Sequence, residues 1–259
     1  MPGSRTLARS LAGSVVAIAV AIVILAASVT PFLSPAWVGF EQDRVGAAAL
    51  TGFSEPDLHR VTNAILGDLV LGSGDFGVTS NGGPRGIPVL NDREQAHMRD
   101  VRGVFRAFGL LALASVAVLV FAATRSRGAA GRRRLWRSVR RGAQGLAVGV
   151  AIAAGIALVA FDAAFEVFHS LFFARGTFDF DPTTDRIVQL FPDAFWSETT
   201  IAVGAVAIVA ALAVGWVARR REAAAAAAAT EPVPGQMAIP ASPAGRSPGE
   251  RSATSGALR

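Results

Sequence analysis

Four apolar segments of about twenty residues each constrain the fold of this chain more than any other feature. A helix of that length crosses the hydrocarbon core of a bilayer, which is roughly 30 Å thick. The composition agrees, because 52% of the residues are hydrophobic and the mean hydropathy is +0.44. The sequence therefore predicts an all-α integral membrane protein with four transmembrane helices, at about 11–30, 104–123, 143–161 and 199–218.

The composition also excludes several classes of function. The chain has no cysteine, so it has no thiolate nucleophile, no Cys-ligated zinc and no iron–sulfur cluster. Its net charge of +6 does not indicate a nucleic-acid partner, because basic residues in a membrane protein first report topology. We therefore expect a protein integral to the membrane without a nucleic-acid partner, and we also predict no metal and no cofactor.

The distribution of arginine predicts the orientation of the four spans. Residues 125–141 carry eight arginines and no acidic residue, and 219–221 carry three more. Basic segments of this kind stay on the cytoplasmic side, where they also contact lipid headgroups. The arginines near the N-terminus agree, so both termini are predicted to be cytoplasmic. The two loops at 34–103 and 162–198, which hold most of the acidic residues, then face outwards.

The first apolar segment has two interpretations. A basic start and the small residues Ala26-Ala27-Ser28 are typical of a signal peptide. However, the segment is long for the apolar part of a signal peptide, and its removal would break the charge pattern. We predict a retained first span.

The C-terminal segment differs in composition from the rest of the chain. After 219–221 it consists of a poly-alanine run and then of sequence rich in proline, serine and glycine. Such sequence does not bury enough apolar surface to fold. We therefore predict a four-helix transmembrane domain over 1–222 and a disordered cytoplasmic tail over 223–259.

The first outer loop contains one predicted helix and one glycine-rich stretch. Ser54-Glu55-Pro56 resembles a helix start, and apolar residues follow at helical spacing at Leu58, Val61, Ile65 and Leu69. This pattern predicts an amphipathic helix that lies on the membrane surface or over the bundle. Residues 72–77 match GxGxxG, but no βαβ unit surrounds them. We expect a flexible loop there, continuing through 81–84, and not a nucleotide site.

The second transmembrane helix is predicted to begin outside the membrane. Asn91–Gln95 resembles a helix N-terminus, with Asp92 as the capping residue and Gln95 three residues later, as in a capping box. No helix breaker follows before residue 123. The sequence therefore predicts one continuous helix from this start through the second span.

Two histidines stand where predicted spans meet the outer side. His97 begins the second helix and His169 ends the third, at a similar predicted depth. Short connections make sequential membrane helices neighbours, so we expect the two imidazoles to converge on one pocket. His59 lies on the predicted amphipathic helix and is a weaker candidate.

Acidic residues accompany both histidines. Glu94 and Asp100 flank His97, and a stripe of ionisable residues ends the third span, namely Asp162, Glu166 and His169. A carboxylate bonded to one ring nitrogen raises the basicity of the other, which suits proton transfer near neutral pH. Two plainer alternatives stay open: each histidine is satisfied by its local acid, and Asp162 marks the water boundary.

Two segments around these histidines resemble the signature segments of a known family. They are Glu94–Val101, which reads EQAHMRDV, and Phe165–Phe173, which reads FEVFHSLFF. Both are similar to those of the lipoprotein intramolecular transacylases (Lit), bacterial membrane proteins with four spans. Asp185–Pro192 and Phe195-Trp196 extend the likeness. The resemblance covers the four spans and both outer loops, roughly residues 10–220, and not the tail. One departure is Thr177-Phe178, where a tryptophan is expected.

The resemblance implies an acyl migration within one lipidated substrate. In the bacterial cell membrane, a diacylglyceryl-cysteine lipoprotein gives its sn-2 acyl chain to its own N-terminal α-amine, forming a lyso-lipoprotein. The substrate supplies the nucleophile, and two histidines can move the proton. By this resemblance His97 and His169 are the catalytic pair, on the outer face.

The resemblance also implies roles for residues around the pair. The supporting residues are Glu94, Asp100 and Glu166. The residues expected to contact the acyl chains are Phe165, Phe168, Phe172, Phe173 and Trp196, although an aromatic stripe more often reflects plain packing.

Three other functions stay open from the sequence. Two histidines on neighbouring helices can ligate a haem for electron transfer. The chain can also be a non-catalytic membrane protein, such as a sensor or an assembly factor. A third alternative is an acyltransferase or hydrolase of the same mechanism that acts on another phospholipid.

Overall fold

The computed structural model describes residues 2–72, 74–82 and 86–229, and within these ranges the chain is helical apart from turns and one isolated bridge between Thr79 and Pro88. In chain order the α-helices of the described ranges are α1 (Pro2–Val29), α2 (Pro35–Arg44), α3 (Ala47–Thr51), α4 (Glu55–Val70), α5 (Asp92–Arg125), α6 (Gly128–Val159), α7 (Phe161–Phe172), α8 (Arg186–Leu190) and α9 (Asp193–Ala227).

Four helices, α1, α5, α6 and α9, are long and apolar enough to cross a membrane, which confirms the four predicted spans. The 34 residues of α5 extend over about 51 Å, well beyond a hydrocarbon core of roughly 30 Å. The part of α5 before residue 104 carries six charged side chains. The charged side chains are therefore concentrated in the first three turns of α5, and the apolar part of the helix follows them.

The bundle is held together by small residues at close helix crossings. α6 packs most extensively against α9, and α1 lies against α5, α6 and α9. A Cβ atom at Gly142 of α6 would overlap the main chain of α1 at Ala17, so only glycine fits there. Ala143 and Ala211 are buried at the centre of the α6–α9 contact. Small side chains of this kind let membrane helices approach closely.

The predicted neighbourhood of the second and third spans is wrong. Only Ser126 and Arg127 separate α5 from α6, yet α5 packs mainly against α1 and little against α6. The side chains of α1 that face the interior, Val20 and Ile24 among them, pack with residues of α6 and α9. The first span is thus part of the bundle core, as its predicted retention requires.

The arginine-rich segment is helical. Most of it forms the first turns of α6. Arg137 Nε and Arg140 Nε each donate a hydrogen bond to the carboxylate of Glu222, at 2.9 and 3.1 Å, and so join α6 to the end of α9.

The predicted boundary of the tail at 222 falls inside a helix. α9 continues through 219–221 and the poly-alanine run to Ala227. The reason is that alanine has the highest helix propensity of all residues, so a helix already formed extends through it. The remainder of the predicted tail, 230–259, lies outside the described residues.

The outer loops fold into a compact unit at one end of the bundle, which we call the head (residues 34–91 and 173–192). Its core contains Leu58, Val61 and Ile65 of α4, together with Leu190 of α8, all almost fully buried. The helix predicted from the 54–69 pattern is confirmed as α4, with the Ser54 hydroxyl accepting a hydrogen bond from the Asp57 amide. It lies over the bundle and inside the head, where its apolar face is covered by protein.

The glycine-rich stretch forms a loop over its described part, as predicted, and specific contacts anchor this loop. The ring of Phe76 is fully buried in the head core, and its amide donates to Asp68 Oδ2 at 2.7 Å. Arg102 of α5 donates to the carbonyl of Gly74 at 2.7 Å. Burial of the Phe76 ring anchors the loop, because its apolar contacts outweigh the conformational entropy of the glycines around it. Residues 73 and 83–85 lie outside the described residues.

Candidate active site

The first turn of α5 is closed by Asn91 and Glu94. The Asn91 side chain accepts from the Glu94 amide at 3.0 Å, and Glu94 Oε2 accepts from the Asn91 amide at 2.6 Å. This is a capping box, one residue earlier than predicted from Asp92 and Gln95. The Gln95 side chain instead donates to the carbonyl of Leu90 at 2.8 Å.

Glu94 ties α5 to α8 and does not orient a histidine. Its second oxygen, Oε1, accepts from the Ile187 amide at 2.7 Å, and the residue is only 1% exposed. Both carboxylate oxygens are therefore occupied by backbone amides. Glu94 therefore does not accept the predicted hydrogen bond from His97, and its role is to position the segment around Ile187.

His169 is carried by α7, which starts after a break in the third span. The backbone leaves helical geometry at Ala160 (φ −150°, ψ 54°) between α6 and α7. His169 Nδ1 donates to the carbonyl of Phe165, one turn earlier, at 2.8 Å. A backbone carbonyl thus takes the place of the predicted carboxylate. Asp162 and Glu166 are exposed and form no hydrogen bond or ion pair within the described residues.

The two predicted catalytic imidazoles meet. The ring centroids of His97 and His169 are 6.1 Å apart, and their planes differ by 23°. His97 is 6% exposed, and its buried Nδ1 has no hydrogen-bond partner within the described residues. His59 lies elsewhere in the head, where its Nε2 is 2.9 Å from Asp43 Oδ1.

Aromatic rings surround the pair. The ring centroids 4.0 to 5.5 Å from that of His169 belong to Phe165, Phe168, Phe173 and Phe178. The ring centroids 4.8 to 5.4 Å from that of His97 belong to Phe173 and Phe180. Two other predicted residues contact this wall instead of a histidine. The ring centroid of Phe172 is 5.0 Å from that of Phe168, and the ring centroid of Trp196 is 6.3 Å from that of Phe165.

Two wall residues, Phe178 and Phe180, were not among the residues predicted to contact the acyl chains. They alternate in the run Thr177-Phe178-Asp179-Phe180. Side chains at alternate positions of an extended segment point to the same side. A period of two in the aromatic residues was therefore the available signal.

Burial keeps both imidazoles neutral. Desolvation, together with the neighbouring His169, lowers the pKa of His97 to about 4, and the exposed Asp100 opposes this shift. Burial also lowers the pKa of His169, against the hydrogen bond to Phe165. Because His169 Nδ1 carries the proton that it donates, its Nε2 presents a lone pair at neutral pH.

The ring geometry and the placement of the acids bear on the chemistry of the site. The two imidazole planes are nearly parallel, and their ring centroids are 6.1 Å apart. Within the described residues, no group of three or more His, Asp or Glu side chains is placed to hold a metal ion. What the site can do is accept and return a proton inside an apolar wall.

The fold and the site define a class: a four-span membrane protein with a desolvated histidine pair beside the head at one end of its bundle. The family model of the lipoprotein intramolecular transacylase Lit matches residues 13–196, which is more than two thirds of the chain. The chain belongs to the Lit family and is an acyltransferase of that kind, integral to the membrane and acting on lipoproteins.

Solved structures of the Lit protein from Bacillus cereus have the same fold. One has a TM-score of 0.66 and 18% sequence identity, and the match covers 83% of this chain and 96% of that one. Two variants of that protein, each with one histidine replaced, give TM-scores of 0.63 and 0.62 at 16% and 17% identity. They cover 84% and 83% of this chain and 93% and 94% of those chains. No curated protein matches the sequence.

Proposed function

We propose that this protein moves the sn-2 acyl chain of a diacylglyceryl-cysteine lipoprotein onto the N-terminal α-amine of the same molecule. The product is an N-acyl, S-monoacylglyceryl lyso-lipoprotein. The observation that carries the proposal is the stacked pair of His97 and His169, 6.1 Å apart inside an aromatic wall. Membership of the Lit family supports the substrate class.

The proposed step needs no nucleophile from the protein. The amine nitrogen attacks the ester carbonyl carbon, an N–C bond forms, and the bond from that carbon to the glyceryl oxygen breaks. One proton moves from the amine to the released glyceryl oxygen, so the reaction is balanced without water. Holding amine and ester together makes the step effectively unimolecular.

The two histidines have different proposed roles. His169 Nε2 carries the lone pair, so His169 takes the amine proton and returns it to the glyceryl oxygen. His97 has a buried ring nitrogen without a partner in the described part of the chain. Such a group costs free energy unless a ligand pairs with it. We assign His97 to hydrogen-bonding the oxygen of the reacting ester, where negative charge develops.

The site is proposed to face the exterior, with both termini in the cytoplasm. The arginine-rich start of α6 is hydrogen-bonded to the end of α9, and both lie at the end of the bundle opposite the head. Basic residues concentrate on the cytoplasmic side, so the head belongs outside. Val167, Leu171 and Phe172 of α7 are exposed apolar side chains, which suits a helix that borders lipid and receives acyl chains.

The experiment uses the purified full-length protein and a synthetic diacylglyceryl-cysteinyl peptide in detergent micelles. Substrate and product have the same mass, so the readout is the fragmentation spectrum together with loss of amine reactivity. We expect His97→Ala and His169→Ala each to lower the rate by about 10²-fold or more.

The matched control is His59→Ala, which removes a histidine of the head that pairs with Asp43 away from the site. This variant is expected to keep the wild-type rate. Retention of acyl migration by both site variants, or release of free fatty acid in place of an N-acyl product, would disprove the proposed function.

A further inference from the structure

Arg93 lies beside the histidine pair but belongs to none of the roles assigned above. It precedes His97 by four residues on α5, and side chains at this spacing are neighbours on one helix face. Its guanidinium carbon lies 4.7 Å from the centroid of the Phe180 ring, and that ring is 5.4 Å from the His97 ring. One aromatic ring therefore links Arg93 to the reacting centre.

The guanidinium of Arg93 is held in place by a buried carboxylate. Its NH2 group donates to Asp185 Oδ2 at 2.7 Å, and Asp185 is only 7% exposed. Asp185 is itself fixed, because it accepts from the Asn91 side chain at 3.2 Å and from the Asp181 amide at 2.8 Å. Arg93 is thus preorganised by a network that joins the start of α5 to the 181–185 turn.

Most of the hydrogen-bonding capacity of Arg93 is left unused. A guanidinium has five N–H donors, and the only hydrogen bond that Arg93 makes within the described residues goes to Asp185. The side chain is 49% exposed, so a substrate can reach the remaining donors. Rigid donors beside an apolar wall suit a ligand that carries acceptors next to its lipid.

The charge of the pair indicates the kind of acceptor. Asp185 neutralises the guanidinium, so the two residues together do not form a strong site for an anionic phosphate. Neutral carbonyl oxygens are the better match. In a lipoprotein, the first peptide carbonyl is next to the reacting amine, and the following ones are spaced by about 3.8 Å per residue. One or two residues of peptide therefore span the single helical turn that separates His97 from Arg93.

We propose that Arg93, held by Asp185, binds backbone carbonyl oxygens of the first residues of the lipoprotein. This contact distinguishes a lipidated peptide from a lipid that carries the same amine and ester without a peptide. The inference rests on the proposed function, because it assumes that the α-amine of the peptide reacts at the histidine pair.

The test compares two substrates. One is a diacylglyceryl-cysteinyl tetrapeptide; the other is S-diacylglyceryl-cysteamine, which keeps the amine and the ester but has no peptide carbonyl. We expect Arg93→Gln to lower kcat/KM on the lipopeptide about tenfold, mainly through KM, and to leave the cysteamine compound unaffected. Arg93→Lys restores little, since it keeps the charge but loses the planar fork.

The matched control is Arg99→Gln on the same helix. Arg99 also forms an exposed ion pair, with Asp75 at 2.9 Å, but on the side of the glycine-rich stretch. The Arg99→Gln variant is expected to keep the wild-type kcat/KM on both substrates. Equal losses on both substrates for Arg93→Gln, or no loss on the lipopeptide, would overturn the proposal.

The two proposals fail in different ways. If the wild-type protein converts neither substrate, the proposed acyl migration is wrong and the role of Arg93 falls with it. If it converts both substrates at equal kcat/KM, the acyl migration stands and the assigned role of Arg93 is wrong.

Discussion

At His169, a backbone carbonyl does what a carboxylate does in many proton-transfer pairs. The bond from Nδ1 to Phe165 fixes the tautomer without adding a charge to an apolar wall. His97 has no such partner, and its neighbour Asp100 is exposed. The two neutral imidazoles thus differ in hydrogen bonding at Nδ1, and this difference underlies the roles proposed for them.

The pH dependence of the reaction follows from this desolvation. Both histidines have a folded-state pKa below the usual value of about 6.5. The folded-state pKa of His97 is about 4. The neutral forms are therefore fully present above pH 6.5, and activity is lost as the pH falls through the lower folded-state values. We expect the acid limb of the kcat profile to lie below pH 6.5.

Asp100→Asn provides the check on that profile. Asp100 raises the pKa of His97, so its neutralisation should move the acid limb to lower pH without changing the plateau. The measurement is kcat against pH for both proteins on the lipopeptide. An acid limb centred above pH 6.5, or one that moves upwards in the variant, would contradict this account.

At the scale of elements, two buried carboxylates join the start of α5 to the segment that follows α7. Glu94 accepts hydrogen bonds from the amides of Asn91 and Ile187. Asp185 accepts hydrogen bonds from the side chains of Arg93 and Asn91 and from the amide of Asp181. This double connection holds Phe180 against His97. The site thus depends on the junction between α5 and the 181–190 segment as much as on the helices that carry the histidines.

Glu94→Gln tests the junction. A glutamine side chain has one acceptor oxygen where Glu94 has two, so one of the amides of Asn91 and Ile187 is left without a partner. An unpaired buried donor costs about 1–3 kcal/mol, and we expect the free energy of unfolding in detergent to fall by that amount. The control is Glu166→Gln at an exposed position, expected to change it by less than about 0.5 kcal/mol. Equal unfolding midpoints for the two variants would disprove the assigned role.

At the scale of the molecule, α1 and α6 cross so closely that the bundle depends on a residue without a side chain. Gly142 lies against the main chain of Ala17, far along the sequence from either histidine. The helices that carry the site, α5 and α7, are attached to this crossing through α1 and α6. The separation of the imidazoles is therefore set by the packing of the whole bundle.

Gly142→Val tests this crossing. The new side chain overlaps α1, and overpacking of this kind costs typically about 1–3 kcal/mol. We expect a lower thermal unfolding temperature and a lower rate of acyl migration. Gly145→Val, one turn later on α6 with open space around its Cβ position, is the control and should resemble the wild type. Identical behaviour of the two variants would show that the crossing tolerates a side chain.

The sequence by itself determined the four spans, helix α4 and the two histidines. Each depends on a local pattern: uninterrupted apolar length, apolar residues at helical spacing, or ionisable groups at the end of an apolar helix. Local patterns failed at the boundaries. The capping box starts at Asn91 and α9 runs to Ala227, because the competing residues on either side have similar propensities.

The tertiary structure alone decided how the histidines meet and what surrounds them. The expected reason, neighbouring second and third spans, was wrong, since α5 packs against α1 and the third span is broken at Ala160 before His169. The predicted acids turned outwards or were taken by backbone amides, whereas Arg93 and Phe180 came to the site through Asp185. Contacts between residues some ninety positions apart leave no periodic trace in a single sequence, so only the folded chain reveals them.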